Sequence, residues 1–278
     1  MSADMIREDA LQAAGLQIHF YECGSSHKDA LLFVHGWASS GRMWHETMSA
    51  LSDEWRCLAP DLPGHGQSDK PPFAWYSVAN FAEAIGAWAD QLGGLPRVAV
   101  GHSLGGAVVV ELAMRHPQRL GRIVLVNPVV SGRVSYNLHA LSGRVPRQTI
   151  LDLGRRVWPH ARAHLLRRAA RGRVGARMKE YLQRNLQDLA QTTADSVLGS
   201  ARAAIHHDLT DHMAGLTLPV LVVVGTHDTT VPPEEGRRLA RCAQQAQLVE
   251  LDAGHLPTDE QPQAFVSALR RFLRSGTV

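Results

Sequence analysis

The chain has 278 residues, of which 45% are hydrophobic and 20% charged, a balance that fits a folded protein with a large apolar core and excludes a disordered chain. Its three cysteines, Cys23, Cys57 and Cys242, lie far apart with no C-x-x-C pair, so neither a disulfide framework nor a zinc knuckle is indicated. The net charge is only +3 but uneven: residues 133–184 are crowded with arginine, and Asp152 and Glu180 are the only acids there.

The opening M-S-A-D-M-I-R-E-D-A carries acids where a secretory leader needs a positive start and an apolar run. No later stretch reaches membrane-spanning length, so the expectation is a cytoplasmic protein with no membrane span. Leu16 to Glu22 alternates like a strand, and Ala30 to Val34 is a short apolar strand ending at His35-Gly36-Trp37. Met43 to Leu51 reads as a helix, Cys57 to Ala59 as a strand running into D-L-P-G-H-G-Q-S-D, and Val78 to Leu92 as an amphipathic helix. In that loop Pro63, Gly64 and Gly66 shape the turn, and Ser68 and Asp69 close it by local hydrogen bonds. Strand Val98 to Val100, helix Ala107 to Arg115 and strand Ile123 to Val126, stopped by Asn127-Pro128, continue a β-α-β rhythm that implies a parallel sheet.

From Val129 to Met213 the pattern is helical without a strand, which predicts a helical cap over 129–213 inserted in a core of 1–128 and 214–278. The rhythm resumes with strand Val220 to Val224, helix Glu234 to Ala243, strand Leu248 to Leu251 and helix Gln263 to Leu273.

The strongest chemical signal is Gly101-His102-Ser103-Leu104-Gly105, a G-x-S-x-G between an apolar strand and a helix. Ser103 on such a tight turn has strained dihedrals, and the flanking glycines let strand and helix approach without collision. A serine hydroxyl is a weak nucleophile near neutral pH, so it needs a base, and the base needs a partner that fixes its tautomer. Asp228 in G-T-H-D and His255 in A-G-H each follow a strand, in the order acid then histidine. In a parallel sheet the carboxyl ends of the strands gather, which brings Ser103, Asp228 and His255 together. Donors for a tetrahedral oxyanion are the backbone N–H groups of Leu104 and Trp37.

With H-G-W, D-L-P-G-H-G-Q-S-D, G-H-S-L-G-G, G-T-H-D-T-T-V-P and A-G-H in order, the sequence resembles the α/β-hydrolase superfamily over everything but the cap. That resemblance implies an α/β fold with a mostly parallel eight-stranded sheet flanked by helices, a cap forming an acyl pocket, and acyl transfer without a cofactor or metal. The resemblance does not imply a substrate; the reading adopted is a serine hydrolase that cleaves carboxylic esters through an acyl-enzyme on Ser103, with acyl thioesters as a further substrate class. A lyase, a carbon–carbon hydrolase or a perhydrolase would use the same triad, and a non-catalytic binding or sensing protein is the reading from another class. The H-G-W loop and S-L-G-G elbow resemble the pimeloyl-acyl-carrier-protein methyl ester esterases, although His102 stands where that group often has tryptophan.

Other readings compete at several positions. Asp252 or Asp259 could supply the carboxylate in place of Asp228, although position at a strand end favours Asp228. His35 and His102 flank the oxyanion loop and the nucleophile and read as structural. His206, His207, Asp208, Asp211 and His212 have helical spacing suited to a metal, but bracing of the cap's return to the sheet is the preferred reading. The arginines of the cap, among them Arg155, Arg156, Arg167, Arg168, Arg171 and Arg173, read first as a solvated face. Their second reading is a grip on an acyl carrier protein or coenzyme A. Nucleic acid is not expected, because there is no recognised binding motif and aromatic residues are sparse there.

Overall fold

A computed structural model describes residues 5–134, 152, 156–158 and 176–275, with backbone alone for 176–182. Strands β1 (Arg7–Ala13), β2 (Leu16–Cys23), β3 (Ala30–Val34), β4 (Arg56–Pro60), β5 (Val98–His102), β6 (Arg122–Val126), β7 (Val220–Gly225) and β8 (Ala246–Leu251) form one eight-stranded sheet in the order β1-β2-β4-β3-β5-β6-β7-β8. β2 runs antiparallel to β1 and β4, and every pairing from β4 to β8 is parallel. The sheet class is the one the strand–helix rhythm implies.

The central strands are apolar throughout because both faces are covered. In β7, Val220, Val222 and Val224 pack into one core with α2 (Val78–Gln91) and α3 (Leu104–Arg115). Leu221 and Val223 point the other way, to a second core with α1 (His45–Leu51) and α9 (Pro262–Arg274). The period of two along the strand feeds both faces. Helix α7 (Pro233–Cys242) joins the first core through Leu239, and the short α8 (Pro257–Glu260) follows β8.

Between β6 and β7 the described residues hold helices α4 (Ala176–Ala190), α5 (Ala194–Ile205) and α6 (Thr210–Gly215), with 152 and 156–158 also helical, and no strand. Thr193 caps α5 reciprocally: its hydroxyl accepts from the Ser196 amide at 3.1 Å, and the Ser196 hydroxyl accepts from the Thr193 amide at 2.8 Å. No helix of the described residues is long and apolar enough to cross a membrane.

One strand has no counterpart in the sequence reading, and two helix boundaries shift. β1 is a strand although R-E-D-A-L-Q-A is polar, because it forms an exposed edge paired only with β2. α3 begins at Leu104 rather than Ala107, so the elbow glycines are already helical. Gly41–Trp44 forms a 3-10 turn ahead of α1, so the helix starts at His45 rather than Met43.

Candidate active site

β5 ends at His102, α3 starts at Leu104, and Ser103 alone makes the junction, with φ 53° and ψ −117°. A non-glycine residue there is strained, and the surroundings hold it in place. Its amide donates to the Val126 carbonyl at 3.0 Å, and its carbonyl accepts from the amides of Gly106 and Val129, each at 3.0 Å. Close approach accounts for two neighbours: a Cβ on Gly101 would strike the Gly105 carbonyl, and one on Gly105 the Val34 carbonyl.

Asp228 is buried after β7, and His255 lies in the loop after β8. One carboxylate oxygen of Asp228 accepts from the amides of Thr230 at 2.7 Å and Val231 at 3.0 Å, and the other lies 2.7 Å from His255 Nδ1. A carboxylate only accepts, so Nδ1 carries the proton and Nε2 presents its lone pair. The competing acids are engaged elsewhere: Asp252 lies 2.8 Å from His227, and Asp259 pairs with Arg184 at 2.7 Å.

Ser103 and His255 face one cavity of about 590 Å³ together with Trp37 of the loop after β3. Much of its wall is apolar, with Val129, Leu186, Leu189, Ala204, Ile205 and Leu256, and the described lining includes no Asp, Glu, Lys or Arg. The Leu104 amide belongs to the first turn of α3, where amides have no acceptor within the helix and the helix dipole favours negative charge. The Trp37 indole donates to the Val197 carbonyl of α5 at 3.0 Å, which fixes the loop that carries the Trp37 amide.

A sequence profile of the α/β-hydrolase fold family matches residues 29–262. An uncharacterized protein of Mycobacterium tuberculosis is 30% identical over 267 residues, covering 88% of this chain and 75% of its own length. A pimeloyl-[acyl-carrier protein] methyl ester esterase of Neisseria meningitidis is 29% identical over 260 residues, covering 87% and 92%. Among solved structures, a thermophilic esterase from Thermogutta terrifontis superposes with a TM-score of 0.75 at 26% identity, covering 96% of this chain and 98% of that one. The chain belongs to the α/β-hydrolase fold family.

In this α/β-hydrolase several supporting residues go beyond the motifs. Asn127, with φ 40°, spans three strand ends: its amide nitrogen donates to the Gly254 carbonyl at 3.0 Å, and its oxygen accepts from the Gly225 amide at 2.8 Å. The only sequence signal was an asparagine closing β6, a residue type that tolerates left-handed backbone. Buried Asp61 accepts from the amides of Gly41 at 2.7 Å and Gln67 at 2.9 Å and lies 3.1 Å from His19. Burial alone would raise its pKa, but the His19 hydrogen bond and neighbouring groups hold it below the usual value. Ser68 and Asp69 close their loop partly at longer range, accepting from the amides of His19 at 2.9 Å and Gln17 at 2.8 Å.

His207, singled out for metal spacing, has its ring nitrogens each 2.8 Å from a carbonyl, those of Ala203 and Val129. It thereby braces the turn out of α5, and no group of three or more potential metal ligands forms among the described residues. Cys23 and Cys57 are buried partners across β2 and β4, and Cys242 is partly exposed. Arg156 is exposed, while Arg155, Arg167, Arg168, Arg171 and Arg173 lie outside the described residues.

The hydrolase also buries neutral histidines. His35 Nε2 accepts from the Leu62 amide at 2.9 Å, so Nδ1 is the donor, 2.8 Å from the Gly36 carbonyl. Burial lowers the pKa of His35, takes His65 down to about 3 and His45 to about 4, and, with the neighbouring His255, holds His102 well below its usual value. In the unfolded chain each would accept a proton near the ordinary value of 6.5, so below that pH the unfolded state binds more protons and gains stability. Asp188, pushed up to about 6 by burial against the opposing pull of Arg42, works the other way and offsets part of this between its usual 3.8 and 6. The expected result is a melting temperature flat above pH 7 that drops by about 10 °C or more between pH 6.5 and 4. Calorimetry across that range checks it, and a melting temperature unchanged at pH 4 would contradict it.

Proposed function

We propose that this α/β-hydrolase cleaves small uncharged carboxylic esters with an apolar acyl part, through an acyl-enzyme on Ser103, with residues 129–213 as the cap over the acyl pocket. The observation that carries the reading is the 2.7 Å His255–Asp228 contact at the cavity that also holds the strained Ser103. Ser103 Oγ attacks the ester carbonyl as its proton passes to His255 Nε2, and the amides of Trp37 and Leu104 receive the developing oxyanion. Collapse breaks the ester C–O bond, and the alcohol leaves with the proton from His255. Water then attacks the acyl-enzyme by the same relay and releases the carboxylic acid.

No metal or cofactor takes part in these steps, since Asp228 and His255 supply the orientation and the proton shuttle. The apolar wall favours a hydrocarbon acyl group, and the ester hydrolysis named for the Neisseria and Thermogutta proteins supports the same bond class. Carrier or coenzyme A docking would call on cap arginines such as Arg156, whereas the described cavity lining carries no Asp, Glu, Lys or Arg, so the small uncharged ester is the reading adopted.

A panel of p-nitrophenyl esters tests the substrate class. Each added methylene should raise kcat/KM about three- to fourfold until the cavity is full, from ~0.8 kcal/mol per buried CH2, and a terminal carboxylate on the acyl chain should abolish that gain. A profile independent of acyl length, or a preference for the carboxylate, would contradict it.

A further inference from the structure

The cap helix α4 reaches the loops that carry both halves of the site. On one side Asp188 lies 3.5 Å from Arg42, whose guanidinium also donates to the Gln187 side chain at 2.9 Å. Arg42 follows the loop Trp37–Ser40, and the next residue back, Gly41, is held from the sheet side by its amide bond to Asp61 at 2.7 Å. The segment that follows the oxyanion loop is therefore hydrogen-bonded to a core carboxylate from below, and from above it meets α4 through the Arg42–Gln187 hydrogen bond and the attraction between Arg42 and Asp188.

One helical turn earlier on α4, Arg184 pairs with Asp259 at 2.7 Å, and both side chains are mostly buried. Asp259 sits in α8, and its neighbour Glu260 accepts from the amides of Gly254 at 2.8 Å and Leu256 at 3.2 Å, one on each side of His255. Whatever moves α8 moves the imidazole. Positions i and i+4 of a helix share a face, so a single face of α4 holds both loops. Between and beside these residues, Asn185, Leu186 and Leu189 line the cavity.

Resting on the esterase reading above, we propose that Arg184 and Asp188 are positioning residues. Through Asp259 and Arg42, α4 sets the oxyanion loop and the His255 loop in register with each other, and substrate packed against α4 reinforces that register. Simple adhesion of the cap makes a different prediction. Loss of cap contact alone would weaken substrate binding, whereas loss of register affects the transition state, where an error of about 1 Å costs on the order of a hundredfold.

The experiment compares D188N, R184Q and D188N/R184Q with the full-length wild type on a p-nitrophenyl ester, with working sites counted by fluorophosphonate titration. Each single variant should lower kcat per titrated site about tenfold with KM within about twofold, and the double variant about a hundredfold, as two independent ties would. D259N should match R184Q, and R184Q/D259N should be no worse than either alone. Titration removes misfolded enzyme from the comparison. Unchanged kcat, or raised KM with kcat intact, would overturn the proposal while leaving the esterase reading standing. A wild type with no turnover and no Ser103 adduct would instead remove that reading.

Discussion

Replacement of Ser103 by alanine is expected to lower kcat on a p-nitrophenyl ester by about 10⁵- to 10⁶-fold, because the group that forms the covalent bond is gone. Alanine keeps the Cβ and with it the backbone strain at φ 53°, so the fold should melt within a few degrees of the wild type. Steady-state turnover and a thermal scan on the same sample check both halves. The residual rate would come from the Trp37 and Leu104 amides and the cavity, which the substitution leaves in place. A variant that keeps more than about a tenth of the activity would mean that another group attacks the substrate, since triad members act as a unit.

The second large effect is D228N, expected to cost about 10⁴-fold in kcat with little change in KM. The structure supplies the reason. One oxygen of Asp228 faces two backbone donors, the amides of Thr230 and Val231. In asparagine that place must be taken by the oxygen, because an NH2 there would meet two N–H groups. The NH2 then points at His255 Nδ1, which has to become an acceptor, and the ring proton moves to Nε2. An imidazole protonated at Nε2 has no lone pair for the Ser103 proton. Kinetics of D228N beside D228A check this, and a loss below about tenfold in D228N would show that the tautomer is not what Asp228 controls.

The parallel core was legible because β3, β5, β6 and β7 are buried on both faces and read as unbroken apolar runs. Ser103, Asp228 and His255 could be singled out because each lies in a short motif in a strand-end loop, and the structure puts Asp228 2.7 Å from His255 and Ser103 at the same cavity as His255. β1 escaped because an exposed edge strand needs no apolar face, so R-E-D-A-L-Q-A leaves no period to detect. The early start of α3 escaped because Gly105 and Gly106 are poor helix formers, and only the close packing of Gly105 against Val34 and of Gly106 against Pro128 requires them there. Asn127, Asp61 and Glu260 were invisible as supports for the same physical reason: each acts on backbone groups distant in sequence or hidden by the turn. The pairing of Arg184 with Asp259 spans 75 positions and has no local signature.

The fold's two cores explain how three distant residues hold their geometry without a covalent link. Ser103 is set by the β5–α3 junction, Asp228 by the turn after β7, and the His255 loop by its hydrogen bonds to that turn and to Asn127. The loops after β7 and β8 are joined directly, with the Thr226 amide donating to the Leu251 carbonyl and the His227 amide to the Ala253 carbonyl, each at 2.9 Å. The loops that carry Asp228 and His255 are therefore tied to each other, and the ring of His102, next to Ser103, lies 4.7 Å from that of His255.

The central claim is that Ser103 becomes covalently modified in turnover. The most direct measurement is peptide mass mapping of the wild type and of S103A after incubation with a fluorophosphonate. The account predicts one adduct, on the Ser103 peptide, appearing in step with loss of esterase activity and absent from S103A. An adduct on another residue, or none on folded and active enzyme, would contradict it.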